Sequence, residues 1–197
     1  MQPDWLIARL TAMYDSPDET LIEATLAGQD RAYEVLVQRY QDMVARFVFR
    51  IVPAAQDREE VCQDVFFKAY TRLGSFKFDA KFSTWLYSIA YRTAISHLRR
   101  RRHDVETLDE EPPGEASLER DRSAAEIAAV VNAELARLPV EERGMVTLYH
   151  LQGCGIEEIS QIMDKPPGTI KSILFRVRKK LKDRIEPLVG VEAGADE

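Results

Sequence analysis

Gly155-Ile156-Glu157-Glu158-Ile159-Ser160-Gln161-Ile162-Met163-Asp164-Lys165-Pro166-Pro167-Gly168-Thr169-Ile170-Lys171-Ser172-Ile173-Leu174-Phe175-Arg176-Val177-Arg178-Lys179-Lys180-Leu181-Lys182-Asp183-Arg184 is the stretch on which the reading of this chain turns. Ile156, Ile159, Ile162 and Met163 recur at helical spacing, so a short helix with one apolar face is expected. Gly155 is a tolerable N-cap, and Glu158 stands at the N3 position of a capping box. Pro166 steers Lys165 away from the α region and is expected to end this helix. Proline at the start of the next helix costs no hydrogen bond. Ile170, Leu174, Val177 and Leu181 form a second apolar stripe. From Lys165 to Arg184 there are eight basic residues (Lys165, Lys171, Arg176, Arg178, Lys179, Lys180, Lys182, Arg184) and one acid, Asp183. A solvated basic helix face is one account of that run. The short helix and tight break just before it favour another, a helix-turn-helix whose second helix enters the DNA major groove.

The whole chain has 197 residues, enough for one large or two small domains. With 45% hydrophobic and 30% charged residues, its composition is that of a soluble globular protein. The net charge of −6 hides a segregation: basic residues cluster in two places and acids in a third. Cys62 and Cys154 lie far apart, with no CxxC and no clustered histidines, so neither a zinc site nor a disulfide framework is expected. A reducing cytoplasm is the natural setting. No signal peptide is apparent, and no apolar run approaches the roughly 18–20 residues of a membrane span. No Gly-rich phosphate loop, GxSxG or HExxH occurs. No cofactor or metal is expected, and no catalytic residue.

Residues 1–17 read as an N-terminal extension with Trp5, Ile7, Leu10 and Tyr14 available for a short helix. Asp18 can cap a helix carrying Leu21, Ile22 and Leu26 that stops near Gly28. A longer helix is expected from Asp30 to Ile51 on the stripe Tyr33, Leu36, Val37, Tyr40, Val44, Phe47 and Ile51. Pro53 breaks it. Asp57 with Glu60 reads as a second capping box, opening a helix to about Leu73 with Val61, Cys62, Val65, Phe66, Ala69 and Leu73 on its core face. Gln63, Asp64, Phe67 and Lys68 fall on the opposite face. Phe67 there is either a core-edge residue or part of a docking surface. After Gly74 comes the loop Ser75-Phe76-Lys77-Phe78-Asp79-Ala80-Lys81. Ser83 can cap a helix that carries Trp85, Leu86, Ile89 and Ala90 and ends in Arg99-Arg100-Arg101-Arg102. Cations at a helix C-terminus are favoured by the macrodipole. Four in a row exceed that need, and with the nearby aromatics they point to a nucleic-acid surface that neutralises phosphates and stacks bases.

Residues 103–124 are acidic around Pro112-Pro113-Gly114 and read as a flexible linker. A second helical domain spans 125–190. Its first helix carries Ile127, Val130, Val131, Leu135 and Leu138. A second starts after Pro139, with Met145, Val146, Leu148, Tyr149 and Leu151 for the core, and ends at Gly153. The helix-turn-helix completes it, and a tail covers 191–197.

Four motifs in this order resemble the bacterial extracytoplasmic-function sigma factors, and especially their RpoE-like group. They are Arg39-Tyr40-Gln41-Asp42-Met43-Val44, Gln63-Asp64-Val65-Phe66-Phe67-Lys68-Ala69-Tyr70, Phe82-Ser83-Thr84-Trp85-Leu86-Tyr87-Ser88-Ile89-Ala90 and Pro167-Gly168-Thr169-Ile170-Lys171-Ser172-Ile173-Leu174-Phe175-Arg176. The likeness covers roughly residues 18–186. It implies an all-α chain, with sigma region 2 at 18–102 and sigma region 4 at 125–190.

The resemblance also implies roles. Gln63, Asp64, Phe67 and Lys68 would dock on the clamp helices of the largest subunit of core RNA polymerase. Phe76, Lys77, Asp79, Lys81, Tyr87, Arg92, Arg99 and Arg100 would hold the melted downstream promoter strand, with one base flipped into a pocket near Phe76–Lys81. Lys171, Ser172, Phe175, Arg176, Arg178 and Lys179 would meet the upstream element, Arg178 and Lys179 at phosphates. Ile173, Gly155 and Arg92 stand where the family usually has a basic residue, Ser and Asn. An anti-sigma factor is the further partner implied.

Function follows as transcription initiation: recruiting polymerase to a promoter subset and opening the DNA. An operator-binding helix-turn-helix regulator is the alternative, though it has no use for the Gln63–Tyr70 motif. Capping and solvation account for the acids that an enzyme would need.

Overall fold

The computed structural model of the chain describes the backbone of residues 14–105 and 122–189, and the side chains of 14–102 and 127–187. All regular structure among the described residues is helical. The chain divides into two compact units, Met1–His97 and Leu98–Glu197.

The first unit is built from α1 (Asp18–Leu26), α2 (Asp30–Ile51), α3 (Ala55–Arg72), a 3-10 turn (Leu73–Ser75) and α4 (Phe82–Val105), whose last turns run past the His97 boundary. α1 packs on α2, and α2 on α3. The core is Leu21, Ile22, Leu36, Val44, Phe47, Ile51, Val61, Val65, Leu73 and Leu86, all nearly sealed from solvent. Each such side chain contributes about 1.5–3 kcal/mol of burial. Gly28 sits at φ 88, a left-handed position that lets the chain reverse between α1 and α2 at little steric cost.

Both expected acidic caps of this unit take other roles. Pro17, not Asp18, precedes α1. The Asp18 carboxylate instead accepts hydrogen bonds from the Arg39 guanidinium and the Tyr40 hydroxyl on α2. Burial, then this carboxylate, pushes the Tyr40 hydroxyl pKa well above its usual value. Arg39 also donates to the carbonyls of Tyr14 (2.7 Å) and Ser16 (2.8 Å), so one side chain ties residues 14–18 to α2. Asp57 lies inside α3, which starts at Ala55. Its Oδ2 is 3.0 Å from Nε2 of the buried His97 on α4. Ser83 likewise falls within α4, which starts at Phe82 and continues past Arg102. Of the apolar residues α1 carries, Leu21 and Ile22 are buried and Leu26 is 54% exposed.

The second unit comprises α5 (Arg122–Ala136), α6 (Val140–Val146), a π-turn (Thr147–Leu151), α7 (Ile156–Met163) and α8 (Pro167–Val189). Leu135, Leu138, Met145, Leu148, Ile159, Ile162, Ile170 and Val177 form its core. The buried carboxylate of Glu134 on α5 holds Arg137 and, at 3.5 Å, Arg184 of α8. The π-turn replaces the regular helix expected through Leu151. It rotates Tyr149 and Leu151 outward, so neither joins the core. α8 runs through Pro187 to Val189. The ends of the expected linker are helical at 103–105 and 122–124; residues 106–121, most of the N-terminal extension and the 191–197 tail lie outside the described residues.

Candidate nucleic-acid interface

α7 begins with half of the expected capping box: the Gly155 N–H donates to Glu158 Oε2 at 2.8 Å. Its end differs from expectation. The chain leaves the helix at Asp164, whose φ of 55° and ψ of 52° are left-handed, two residues before Pro166. A short polar side chain tolerates that conformation better than most. The exit is locked from both sides: Lys165 N–H donates to the Ser160 carbonyl at 3.1 Å, and Ser160 Oγ donates to the Lys165 carbonyl at 2.6 Å. Pro166 serves the next helix instead, its carbonyl accepting from the N–H groups of Thr169 (2.9 Å) and Ile170 (3.2 Å).

α8 separates two arcs. Ile170, Leu174 and Val177 are buried, while Lys171, Ser172, Phe175, Arg176, Arg178 and Lys179 are all exposed. Phe175 is 76% exposed. A bare phenyl ring amid cations is well suited to apolar contact with a thymine methyl, and the cations to guanine edges and phosphates. Two of the six have intramolecular partners. Arg176 Nη2 is 2.8 Å from Glu142 Oε1 on α6, and Ser172 Oγ donates back to the Gly168 carbonyl at 2.9 Å. Arg178 also edges an apolar groove formed by Ile127, Val146, His150, Leu181 and Ile185. The sequence does not announce that groove, because Ile127, Val146 and Leu181 read as members of core-facing stripes.

The first unit holds an aromatic cluster. The Phe76 ring lies 4.8 Å from Phe78, 5.7 Å from Phe82 and 5.4 Å from Trp85. Phe76 is only 8% exposed and floors the cluster; Phe78 is 46% exposed and covers its outer side. Phe78 has a φ of 59°, a left-handed conformation rare for a bulky residue, which marks the loop as held in place by its surroundings. Lys77, Asp79 and Lys81 flank it, exposed, as are Arg92, Arg99 and Arg100 along α4. Tyr87 does not belong to this surface. It is buried with its ring edge-on to Phe47 at 5.6 Å, a core residue on the inner face of α4. Phe78 and Trp85 are the exposed and half-buried rings that the candidate set lacked. In an extended loop residues two apart share a face, so Phe-x-Phe alone does not set the two rings apart; the left-handed backbone at Phe78 does.

On α3, Phe67 is 68% exposed, one turn from an Asp64–Lys68 ion pair at 3.2 Å. Lys68 Nζ also reaches Thr93 Oγ1 at 3.5 Å, and Gln63 Nε2 donates to Glu59 at 3.2 Å. The polar members of this face are thus partly ordered around a phenyl ring that nothing covers. Cys62 beside it is half-buried, and burial, then Glu59, raises its thiol pKa, which makes it a poor nucleophile. Among the described residues no group of three potential metal ligands occurs, and no helix is long and apolar enough to cross a membrane.

Comparison with known proteins assigns both units. Residues 36–103 match the Sigma-70 region 2 family model, and residues 128–181 match that of Sigma-70, region 4. The RNA polymerase sigma-H factor of Pseudomonas aeruginosa is 35% identical over 184 residues, covering 87% of this chain and 95% of that protein. The ECF RNA polymerase sigma-E factor of Escherichia coli K12 is 36% identical over 184 residues, covering 87% and 96%. Among solved structures, the sigma factor RpoE in complex with the anti-sigma factor NepR from Bartonella quintana aligns with a TM-score of 0.67 at 19% identity, over 81% of this chain and 98% of that one. CnrH in complex with the cytosolic domain of CnrY gives 0.66 at 22%, over 86% and 97%. At those identities the structures speak for the fold alone. Region 2 is what an operator-binding regulator would lack. With both regions present in order, and relatives matched along nearly their whole length, the chain belongs to the extracytoplasmic-function sigma factors of the sigma-70 family, non-enzymatic initiation factors that act with RNA polymerase at particular promoters.

Proposed function

We propose that the two units divide promoter opening between a strand-capturing, polymerase-docking region 2 and a duplex-reading region 4. In region 2, α3 docks on the clamp helices of the largest polymerase subunit through Gln63, Asp64, Phe67 and Lys68. The observation that carries this is the exposure of Phe67, on a helix whose opposite face already fills the core. Burying an isolated phenyl ring on a partner is strongly favourable, whereas the Asp64–Lys68 pair beside it sets orientation more than affinity.

The melted downstream strand lies along Phe78, Trp85 and the cations Lys77, Lys81, Arg92, Arg99 and Arg100, with Asp79 limiting which base edge enters. Capturing a flipped base favours the open strand by mass action, so opening requires no hydrolysis. In region 4, Lys171, Ser172, Phe175 and Arg176 face the upstream-element bases, and Arg178 and Lys179 its phosphates. The protein works in the cytoplasm. An anti-sigma factor is its regulator: the similar RpoE structure holds the anti-sigma factor NepR, and the groove beside Arg178 offers apolar surface to such a partner.

Run-off transcription with purified core polymerase tests the reading as a whole. The expected result is a promoter-specific transcript that requires this chain. Its absence across promoters mapped by RNA 5′ ends after overproduction of the protein would refute it.

A further inference from the structure

The first turn of α6 carries two adjacent carboxylates, and both reach the helix-turn-helix. Glu141 Oε1 lies 2.9 Å from Lys165 Nζ, at the break between α7 and α8. Glu142 Oε1 lies 2.8 Å from Arg176 Nη2, on the groove-facing arc of α8. The two acids differ in exposure. The Glu141 side chain is 44% exposed and that of Glu142 only 17%. Glu142 is therefore held by packing, while the guanidinium it touches, on a side chain 66% exposed, is held by Glu142.

A guanidinium has five donors in a planar fork, and each terminal nitrogen carries two N–H groups. One bond to Glu142 leaves enough donors to pair with O6 and N7 of a guanine. The carboxylate has two effects on that pairing. It removes rotamer freedom from Arg176 before DNA arrives, so less is lost on binding. It also competes with phosphate. An unrestrained guanidinium beside a duplex swings to the nearest phosphate, which adds affinity but carries no sequence information.

We infer that Glu142 is a positioning residue for upstream-element recognition: it keeps the Arg176 guanidinium on the base edges, and so sets selectivity rather than affinity. The inference rests on Arg176 reading a base, as proposed above. It predicts a specific signature, since removing an acid from a DNA-facing surface should leave overall binding as strong or stronger while base preference falls.

The test uses holoenzyme reconstituted from core polymerase and the full chain, with promoter duplexes randomised over the upstream element. Base preference is read at every position. Arg176→Ala should flatten one base pair or two adjacent ones. Glu142→Ala should lower the preference at those same positions about fivefold, part of the discrimination a bidentate pair supplies. Glu142→Gln, which keeps a hydrogen-bond acceptor, should lower it less, and the double variant should match Arg176→Ala. Glu141→Ala removes a neighbouring first-turn carboxylate and should leave the profile unchanged. An unchanged profile in Glu142→Ala, a loss spread evenly over all positions, or equal flattening by Glu141→Ala would each overturn the positioning role. If Arg176→Ala itself changes no position, the base contact falls and the inference falls with it.

Discussion

Phe76 and Phe175 are the same side chain put to opposite use. In region 2, Phe76 is 8% exposed and packs against Phe78, Phe82 and Trp85, so the surface proposed to hold the strand is continuous with the core beneath it. In region 4, Phe175 is 76% exposed, and the residues that stabilise α8 (Ile170, Leu174, Val177) lie on another arc of the helix. Capturing an unstacked base requires a rigid aromatic cavity, and rigidity comes from packing. Reading a duplex edge requires only that side chains stand on a firmly held rod. Function and stability are therefore coupled in region 2 and separable in region 4.

The largest effect that tests this contrast is Phe76→Ala. It should cost about 3–5 kcal/mol of region 2 stability and abolish open-complex formation at the same time. Urea denaturation and permanganate reactivity of the melted strand measure the two losses. A small stability loss with strand capture destroyed would make the cluster a surface patch and break the comparison.

Phe67→Ala comes next and asks whether region 2 also has a separable surface. It should weaken core-polymerase binding by about 2 kcal/mol, the scale of an interface hot spot. Stability should stay within about 0.5 kcal/mol of wild type, as for other surface substitutions. Competition for core polymerase against a labelled sigma factor, alongside a thermal melt, reads both. A melting point several degrees lower would place Phe67 in the core.

Arg176→Ala should weaken upstream-element binding by about 1–3 kcal/mol and relax specificity at its own position, with no change in the melt. Wild-type affinity in that variant would refute the base contact and with it the separable half of the contrast.

How far these surfaces were legible in the sequence follows from the range of the interactions that build them. Helical stripes are local, so Leu36, Val44, Phe47 and Ile51 announced α2, and the alternation of apolar and basic residues announced both arcs of α8. The residues that misled are those whose partners lie far along the chain. Asp18 and Asp57 carry the local pattern of caps, yet they bind Arg39 and His97, 21 and 40 positions away. Glu142 looks like an ordinary first-turn acid until α8 brings Arg176, 34 positions on, against it. Tyr87 is placed with the downstream-strand residues by family resemblance but faces Phe47 across the core. The left-handed backbone at Phe78 has no compositional sign, and at Asp164 only the weak one of a short polar side chain. The π-turn shifts the helical register after Val146 and so reverses the expected facing of Tyr149 and Leu151.

The smallest effect separates two kinds of contact within the groove arc itself. Lys179 is exposed one turn beyond Phe175, and as a point charge it suits a phosphate better than the fork of Arg176 does. Lys179→Ala should weaken holoenzyme binding evenly across all upstream sequences, and the slope of log K against log salt should fall in magnitude by about 0.9, the release of one counterion. Arg176→Ala should instead change the profile across base pairs and, if Glu142 keeps it off the phosphates, leave the slope nearly unmoved. Measuring both slopes over a salt series decides the assignment. A reduced slope in Arg176→Ala with an intact base profile would put Arg176 on the backbone and make Glu142 a competitor of DNA rather than a guide to it.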